Sequence, residues 1–279
     1  MTEHLDHVRV DVDPDGIALV TLDNPAKRNA ITPELSRTMN VVLDRLAADR
    51  AVRVVIVTGA GDAAFCAGMS LEHFRTYRDR VWELYTPGES MMDWWAKLRA
   101  LPQPTIAAVN GVCVGGGFCI LDACDLAIAS ERATFGLSEV NFGSVPGGGA
   151  LRAVLEMMPL KRAMHLVLTG QPIDAAAASQ AGLVNEVVAH DDVVPAARRL
   201  AALLVRHPWQ TLEFCKRTAY GSREIPNRRL AIEYETAMAH FQHQARPPRT
   251  AGAQEAFAAF GEKRFKPGLE PYDPTREKP

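Results

Sequence analysis

The sequence predicts an α/β fold, and three observations predict it. Two continuous apolar runs, Val54–Gly59 and residues 105–110, have the length of strands and suit a sheet covered on both faces. Segments with apolar residues at helical spacing alternate with such runs, as in layered α/β folds. Beyond about Gly170 the strand signal thins and one helical segment follows another, so the second half reads as mostly helical.

Along the chain, residues 8–13 and Ile17–Leu22 read as short strands joined by Pro14-Asp15-Gly16, which has hairpin turn chemistry. A polar loop, Asn24-Pro25-Ala26-Lys27-Arg28-Asn29-Ala30, comes next. Thr32 is placed to cap a helix with Pro33 at its first position, and Leu35, Met39, Val42, Leu43 and Leu46 follow at helical spacing. After the Val54–Gly59 strand, residues 60–70 form a loop of small residues. Helices are expected over 71–85, before Pro87-Gly88, and over 90–101, before Pro102 and Pro104. Leu126–Ser130 is a third buried strand. Later helices are expected over 174–180, 192–206, 209–220, 227–244 and 251–261.

Composition narrows the class. The 279 residues are 47% hydrophobic and 23% charged with a net charge of -2, which suits a folded domain and offers no basic balance for nucleic acid. No apolar run approaches the roughly 20 residues of a membrane helix. Residues 1–15 are acidic and polar, so no secretory leader is expected. The cysteines, Cys66, Cys113, Cys119, Cys124 and Cys215, are odd in number and mostly in apolar surroundings, as expected of reduced, buried thiols in a cytoplasmic protein. Cys119 and Cys124 have no histidine partner nearby, so no metal site is expected.

Three stretches carry chemistry. In Asn110-Gly111-Val112-Cys113-Val114-Gly115-Gly116-Gly117-Phe118, three glycines follow a buried strand and open a helical segment. Bare backbone and a helix start offer free N–H groups to negative charge. The same pattern also makes a tight turn without a ligand. It is neither a Walker loop, which ends Gly-Lys-Ser/Thr, nor a G-x-G-x-x-G fingerprint. Phe65-Cys66-Ala67-Gly68-Met69-Ser70 is a second backbone segment of small residues, and two such segments can each give one N–H to a single oxygen, as an oxyanion hole requires. The third runs from Ala133 through Glu139 to Gly149. Glu139 sits in an apolar setting where burial would raise its pKa and suit it to proton transfer, although capping a helix or pairing with an arginine would also place a glutamate there.

Together these pieces resemble the crotonase (enoyl-CoA hydratase/isomerase) superfamily, in the family's order. They are Asn24-Pro25 to Ala30, Ala67-Gly68-Met69, Asn110 to Gly117, Cys124-Asp125-Leu126-Ala127 and Phe135 to Pro146, then Leu168-Thr169-Gly170 and Ala181 to Val187. The resemblance implies a spiral of ββα units over residues 1–200. It also implies a helical region over 201–279 that packs subunits into trimers or paired trimers. It implies an acyl-CoA thioester as substrate, coenzyme A being part of that substrate and no separate cofactor being needed. The N–H groups of Met69 and Gly116 would form the oxyanion hole. Lys27, Arg28, Ala30, Ala67 and Gly68 would line the coenzyme A side. Glu139 matches the second of the two glutamates used by hydratases of the family; the first falls at Cys119.

That departure is similar to the hydroxycinnamoyl-CoA hydratase-lyases, which keep one glutamate and carry a serine where Cys119 stands. Phe135 to Asn141, Phe74-Arg75 and Lys266-Pro267-Gly268-Leu269 resemble them too. The resemblance implies that two tyrosines bind the substrate's para-hydroxyl; one falls near Phe74, with Tyr77 as a displaced substitute, and the other matches Tyr234. Ser70, in place of an acidic residue, and Phe142, in place of a tryptophan, depart from that subgroup. Three readings follow: a hydratase-lyase on an aromatic enoyl-CoA, an enoyl-CoA hydratase or isomerase on another acyl group, and a silent scaffold.

Overall fold

The computed structural model describes residues 2–72, 93–245 and 252–264. Its strands are β1 (Thr2–Leu5), β2 (Val8–Val12), β3 (Ile17–Leu22), β4 (Val54–Gly59), β5 (Ala64–Cys66), β6 (Thr105–Val109), β7 (Val112–Val114), β8 (Leu126–Ser130), β9 (Thr134–Gly136), β10 (Ile173–Asp174) and β11 (Glu186–Val188). They form a seven-stranded sheet in the order β1-β2-β3-β4-β6-β8-β11 and a four-stranded sheet in the order β10-β9-β7-β5. From β3 to β11 the larger sheet is parallel, and β1, β2 and β3 pair antiparallel.

The apolar runs belong to the middle of the larger sheet, where the strand period of two sends alternate side chains to opposite layers. Val55 and Val57 of β4 and Ala107 and Val109 of β6 join the layer that holds Leu35, Met39 and Leu43 of the helix Pro33–Ala48. Val54, Ile56, Ile106 and Ala108 face the helix Val193–Val205 through Val193, Ala196, Ala197 and Ala201. Every residue of β4 is buried, which is why it reads as an unbroken apolar run. The Thr32 cap is present, its hydroxyl accepting from the Leu35 N–H at 3.2 Å.

The structure differs from the sequence expectation in short strands and in two helices, Ala150–Met157 and Leu160–Thr169, where none was expected. β5 lies in a stretch read as a loop, β7 in the glycine run read as a strand-to-helix turn, β10 and β11 where the strand signal thins, and β1 before the first expected strand. Two or three residues are too few to show an alternation, so tertiary pairing decides these elements. The helix expected over 90–101 is Asp93–Ala100, and the later helices are Ala175–Ala181, Val193–Val205, Trp209–Arg223, Arg228–Ala245 and Gly252–Gly261. Most of the segment 71–85 lies outside the described residues.

The chain divides into two compact units, Met1–Val205 and Arg206–Pro279. Within the second, Trp209–Arg223 and Arg228–Ala245 are held by the Phe214–Phe241 ring pair, with centroids 5.9 Å apart, and by a Gln242–Thr211 hydrogen bond of 3.2 Å. Among the described residues no helix is long and apolar enough to cross a membrane.

Candidate active site

Two buried asparagines set the loops around the site. Asn29, with φ +54, donates from Nδ2 to the carbonyls of Ala60 and Ala64 and accepts the Asn24 N–H. Asn110, at the end of β6, accepts the Gly59 N–H and donates to the carbonyls of Gly59 and Gly61. A buried amide unpaired here would cost about 1–3 kcal/mol, so both side chains strongly favour this one loop arrangement. Their signal in the sequence is a polar residue among small and apolar ones, which names no partner.

The loop carrying Lys27, Arg28 and Ala30 lies directly along Ala67-Gly68-Met69. Ala67 N–H donates to Arg28 O at 3.0 Å, Ile31 N–H to Gly68 O at 2.8 Å and Ser70 N–H to Ile31 O at 2.9 Å. This parallel bridge uses the groups on either side of Met69 and leaves the Met69 N–H directed away from Ile31. Lys27 and Arg28 are exposed, and Lys27 pairs with Glu72 at 3.1 Å. An exposed pair of that kind contributes about 0–1 kcal/mol, so a ligand phosphate can displace it.

On the other side, β7 leads through Gly115 into the helix Gly116–Ala123. Gly116 is the first helical residue, so its N–H has no partner within the helix. Gly115 has φ +54, and its own N–H donates to Gly136 O of the chain leaving β9 at 3.1 Å. A Cβ at Gly116 would stand 3.7 Å from the Met69 nitrogen, and one at Gly68 would stand 3.1 Å from the Gly116 nitrogen. The two amides therefore border one narrow gap.

Glu139 opens the 3-10 turn Glu139–Phe142 that follows β9. One carboxyl oxygen, Oε1, comes within 3.1 Å of the point where a Gly115 Cβ would be, and Oε2 is buried without a hydrogen-bond partner. It neither caps a helix with its side chain nor pairs with an arginine among the described residues. Burial pushes its pKa above the usual 4.5, a shift that a hydrogen bond from the backbone partly opposes. A carboxyl of raised pKa with no side-chain partner, beside two amides without a hydrogen-bond partner, all among the described residues, is suited to taking and returning a proton.

Cys119 lies near this group, and its thiol donates to the Gly148 carbonyl at 3.3 Å. Burial first, then the charges of Asp122, and less so of Glu139, push its pKa up to about 12, so it stays a neutral thiol. It is a donor to the Gly148 loop and no second base. Cys119→Ser keeps a donor of similar size, and we expect turnover within about threefold of the parent, since a hydroxyl serves the same acceptor. Cys119→Glu should raise simple hydration of crotonyl-CoA relative to any cleavage; a spectrophotometric assay showing no such change removes Cys119 from the account.

The structure thus brings together Lys27, Arg28, Ala30, Ala67, Gly68, Met69, Gly116, Cys119 and Glu139. Tyr77, with Phe74 and Arg75, lies outside the described residues, as does the 266–269 tail. Tyr234 is in the second unit, where its ring covers Gly221: a Cβ there would be 2.8 Å from Cζ. Among the described residues no cluster of three His, Cys, Asp or Glu is placed to hold a metal.

Similarity to known proteins gives the family and the fold. The enoyl-CoA hydratase/isomerase family matches residues 13–268. A hydroxycinnamoyl-CoA hydratase-lyase of Pseudomonas fluorescens is 36% identical over 270 residues, covering 95% of this chain and 96% of the relative. An (E)-benzylidenesuccinyl-CoA hydratase of Thauera aromatica is 32% identical, covering 89% and 93%. The crystal structure of an enoyl-CoA hydratase from Bacillus anthracis superimposes with a TM-score of 0.83 at 28% identity, over 92% of this chain and 97% of that one.

Proposed function

Because the chain belongs to the enoyl-CoA hydratase/isomerase family and has its crotonase fold, we propose that it hydrates a 4-hydroxycinnamoyl-CoA thioester and cleaves the product to a hydroxybenzaldehyde and acetyl-CoA. The observation that carries this reading is the single carboxyl of Glu139, its Oε2 buried without a hydrogen-bond partner, beside the amides of Met69 and Gly116. The hydratase-lyase from Pseudomonas fluorescens supports the aromatic substrate.

In this reading the Met69 and Gly116 N–H groups hold the thioester oxygen. Glu139 takes a proton from water as its oxygen adds to the β-carbon, and the electron pair of the double bond moves onto the thioester as an enolate. Glu139 returns the proton to the α-carbon. It then takes the proton of the new β-hydroxyl, the Cα–Cβ bond breaks, and the aldehyde leaves. The bonding pair becomes the enolate of acetyl-CoA in the same two-amide site, and Glu139 protonates it, ending as a carboxylate. Lys27 and Arg28 bind the coenzyme A phosphates, with Ala30, Ala67 and Gly68 along the thioester arm. On the resemblance, Tyr77 is assigned to the para-hydroxyl. Assembly into trimers or paired trimers belongs to the proposal, and exposed Leu160 and Leu168 supply apolar surface for it.

A second reading, hydration or isomerisation of another enoyl-CoA, is favoured by the same lone carboxyl, since moving a double bond needs one proton shuttle. A panel of enoyl-CoA thioesters with chromatographic product identification separates the two. We expect 4-coumaroyl-CoA and feruloyl-CoA to give an aldehyde and acetyl-CoA in equal amounts. Hydration of crotonyl-CoA with no aldehyde from the aromatic thioesters supports the second reading, and no turnover of any thioester leaves the scaffold.

A further inference from the structure

Among the described residues no side chain grips the carboxyl of Glu139, so its place depends on the turn that carries it. That turn closes on itself through Asn141 N–H to Ser138 O, Gly143 N–H to Val140 O and Ser144 N–H to Glu139 O, each at 3.0 Å. A lone 3-10 turn is a weak unit. This one buries none of its residues, and Val140 and Phe142 are exposed. Among the described residues, its side-chain hydrogen bond to another element comes from Asn141, whose Nδ2 donates to the Gly170 carbonyl at 3.3 Å.

Gly170 is cleared for this contact. It ends the helix Leu160–Thr169 with φ +63, and a Cβ there would stand 2.7 Å from Asn141 Nδ2, 2.8 Å from Oδ1 and 2.8 Å from Val140 Cγ1. The turn therefore rests on the bare Cα of Gly170. Beyond Gly170 the chain enters β10, which pairs with β9, and β9 runs on into Glu139. The Asn141 bond closes that circuit.

We propose that Asn141 is a positioning residue for proton transfer, its bond to the Gly170 carbonyl holding the Glu139 turn against Gly115. The proposal rests on the reading of Glu139 as the proton carrier. A carboxyl freed from this position would sample water and meet the substrate carbons less often. Asn141→Ala removes the bond and the bulk, and Asn141→Leu removes the bond while still covering Gly170.

For both variants we expect kcat to fall about ten- to a hundredfold with KM within about twofold, as for a misplaced reacting group. Carboxyl 13C NMR of the free protein, with Glu139→Gln assigning the signal, should show Glu139 titrating at lower pH than in the parent, toward 4.5. If alanine prevents folding, the leucine variant carries both measurements. An unchanged Glu139 titration in a folded variant, or a kcat within about twofold of the parent with only a lowered melting temperature, overturns the proposal. A parent inactive on every thioester sinks the catalytic reading alone, because the NMR titration still decides whether Asn141 holds the carboxyl.

Discussion

Glu139→Gln will lower kcat by about a thousandfold on whichever enoyl-CoA thioester the parent turns over, while thioester affinity measured by calorimetry stays close to the parent's. Glutamine keeps the shape and cannot take a proton. In the parent, the carboxylate form is the base, so kcat/KM should rise with pH through a pKa above 4.5, and that limb should vanish in the variant. Stability gives an independent check on the same residue. Because burial raises the pKa, the folded protein holds a proton that the unfolded chain releases, so stability falls as pH rises through the window between 4.5 and the raised value. At neutral pH the ionised carboxyl is then a small cost that glutamine lacks. The group is only half-buried, which limits the gain, and Tm should rise by about 1–2 °C at most. Activity within a few-fold of the parent removes Glu139 from the mechanism. A fall in Tm of several degrees shows that the carboxylate is held by a partner.

Gly68→Ala will cut turnover about a hundredfold by moving one amide away from the other. Gly68 has φ +80, and its Cβ would stand 2.8 Å from the Val114 carbonyl oxygen and 3.1 Å from the Gly116 nitrogen. Both are backbone atoms, so no rotamer change relieves the contact. The Ala67-Gly68-Met69 segment must shift from β7 and the glycine run, and the gap between the amides of Met69 and Gly116 widens. The left-handed backbone adds about 1–2 kcal/mol of strain, which should lower Tm by a few degrees. The loss should fall mainly on kcat, because the donors matter most where charge develops. A Gly68→Ala protein with parental kcat shows that the spacing of these segments is irrelevant to the chemistry.

The long elements were legible because their pattern exceeds their context. β4 alternates its side chains between two apolar layers, and Thr32 and Pro33 announce the helix they begin. Glu139 and the glycine run were legible as separate pieces. Their meeting was implied by the family resemblance alone, because it depends on β7 pairing with β9, two three-residue strands whose local sequence carries no periodicity. The acceptor of the Cys119 thiol was hidden for the same reason: Gly148 reaches it from a glycine-rich loop with no pattern of its own. Asn29, Asn110 and Asn141 each bind carbonyls remote in sequence, and an asparagine does not advertise which carbonyl it will meet.

The central claim is that two peptide N–H groups polarise the thioester carbonyl. The infrared stretch of a 13C-labelled thioester carbonyl bound to the Glu139→Gln protein tests it without turnover. Two donors in the gap between Met69 and Gly116 should move the band to lower frequency than in water, and Gly68→Ala added to that protein should return it toward the aqueous position. A bound carbonyl that absorbs as it does in water, with or without the alanine, contradicts the account.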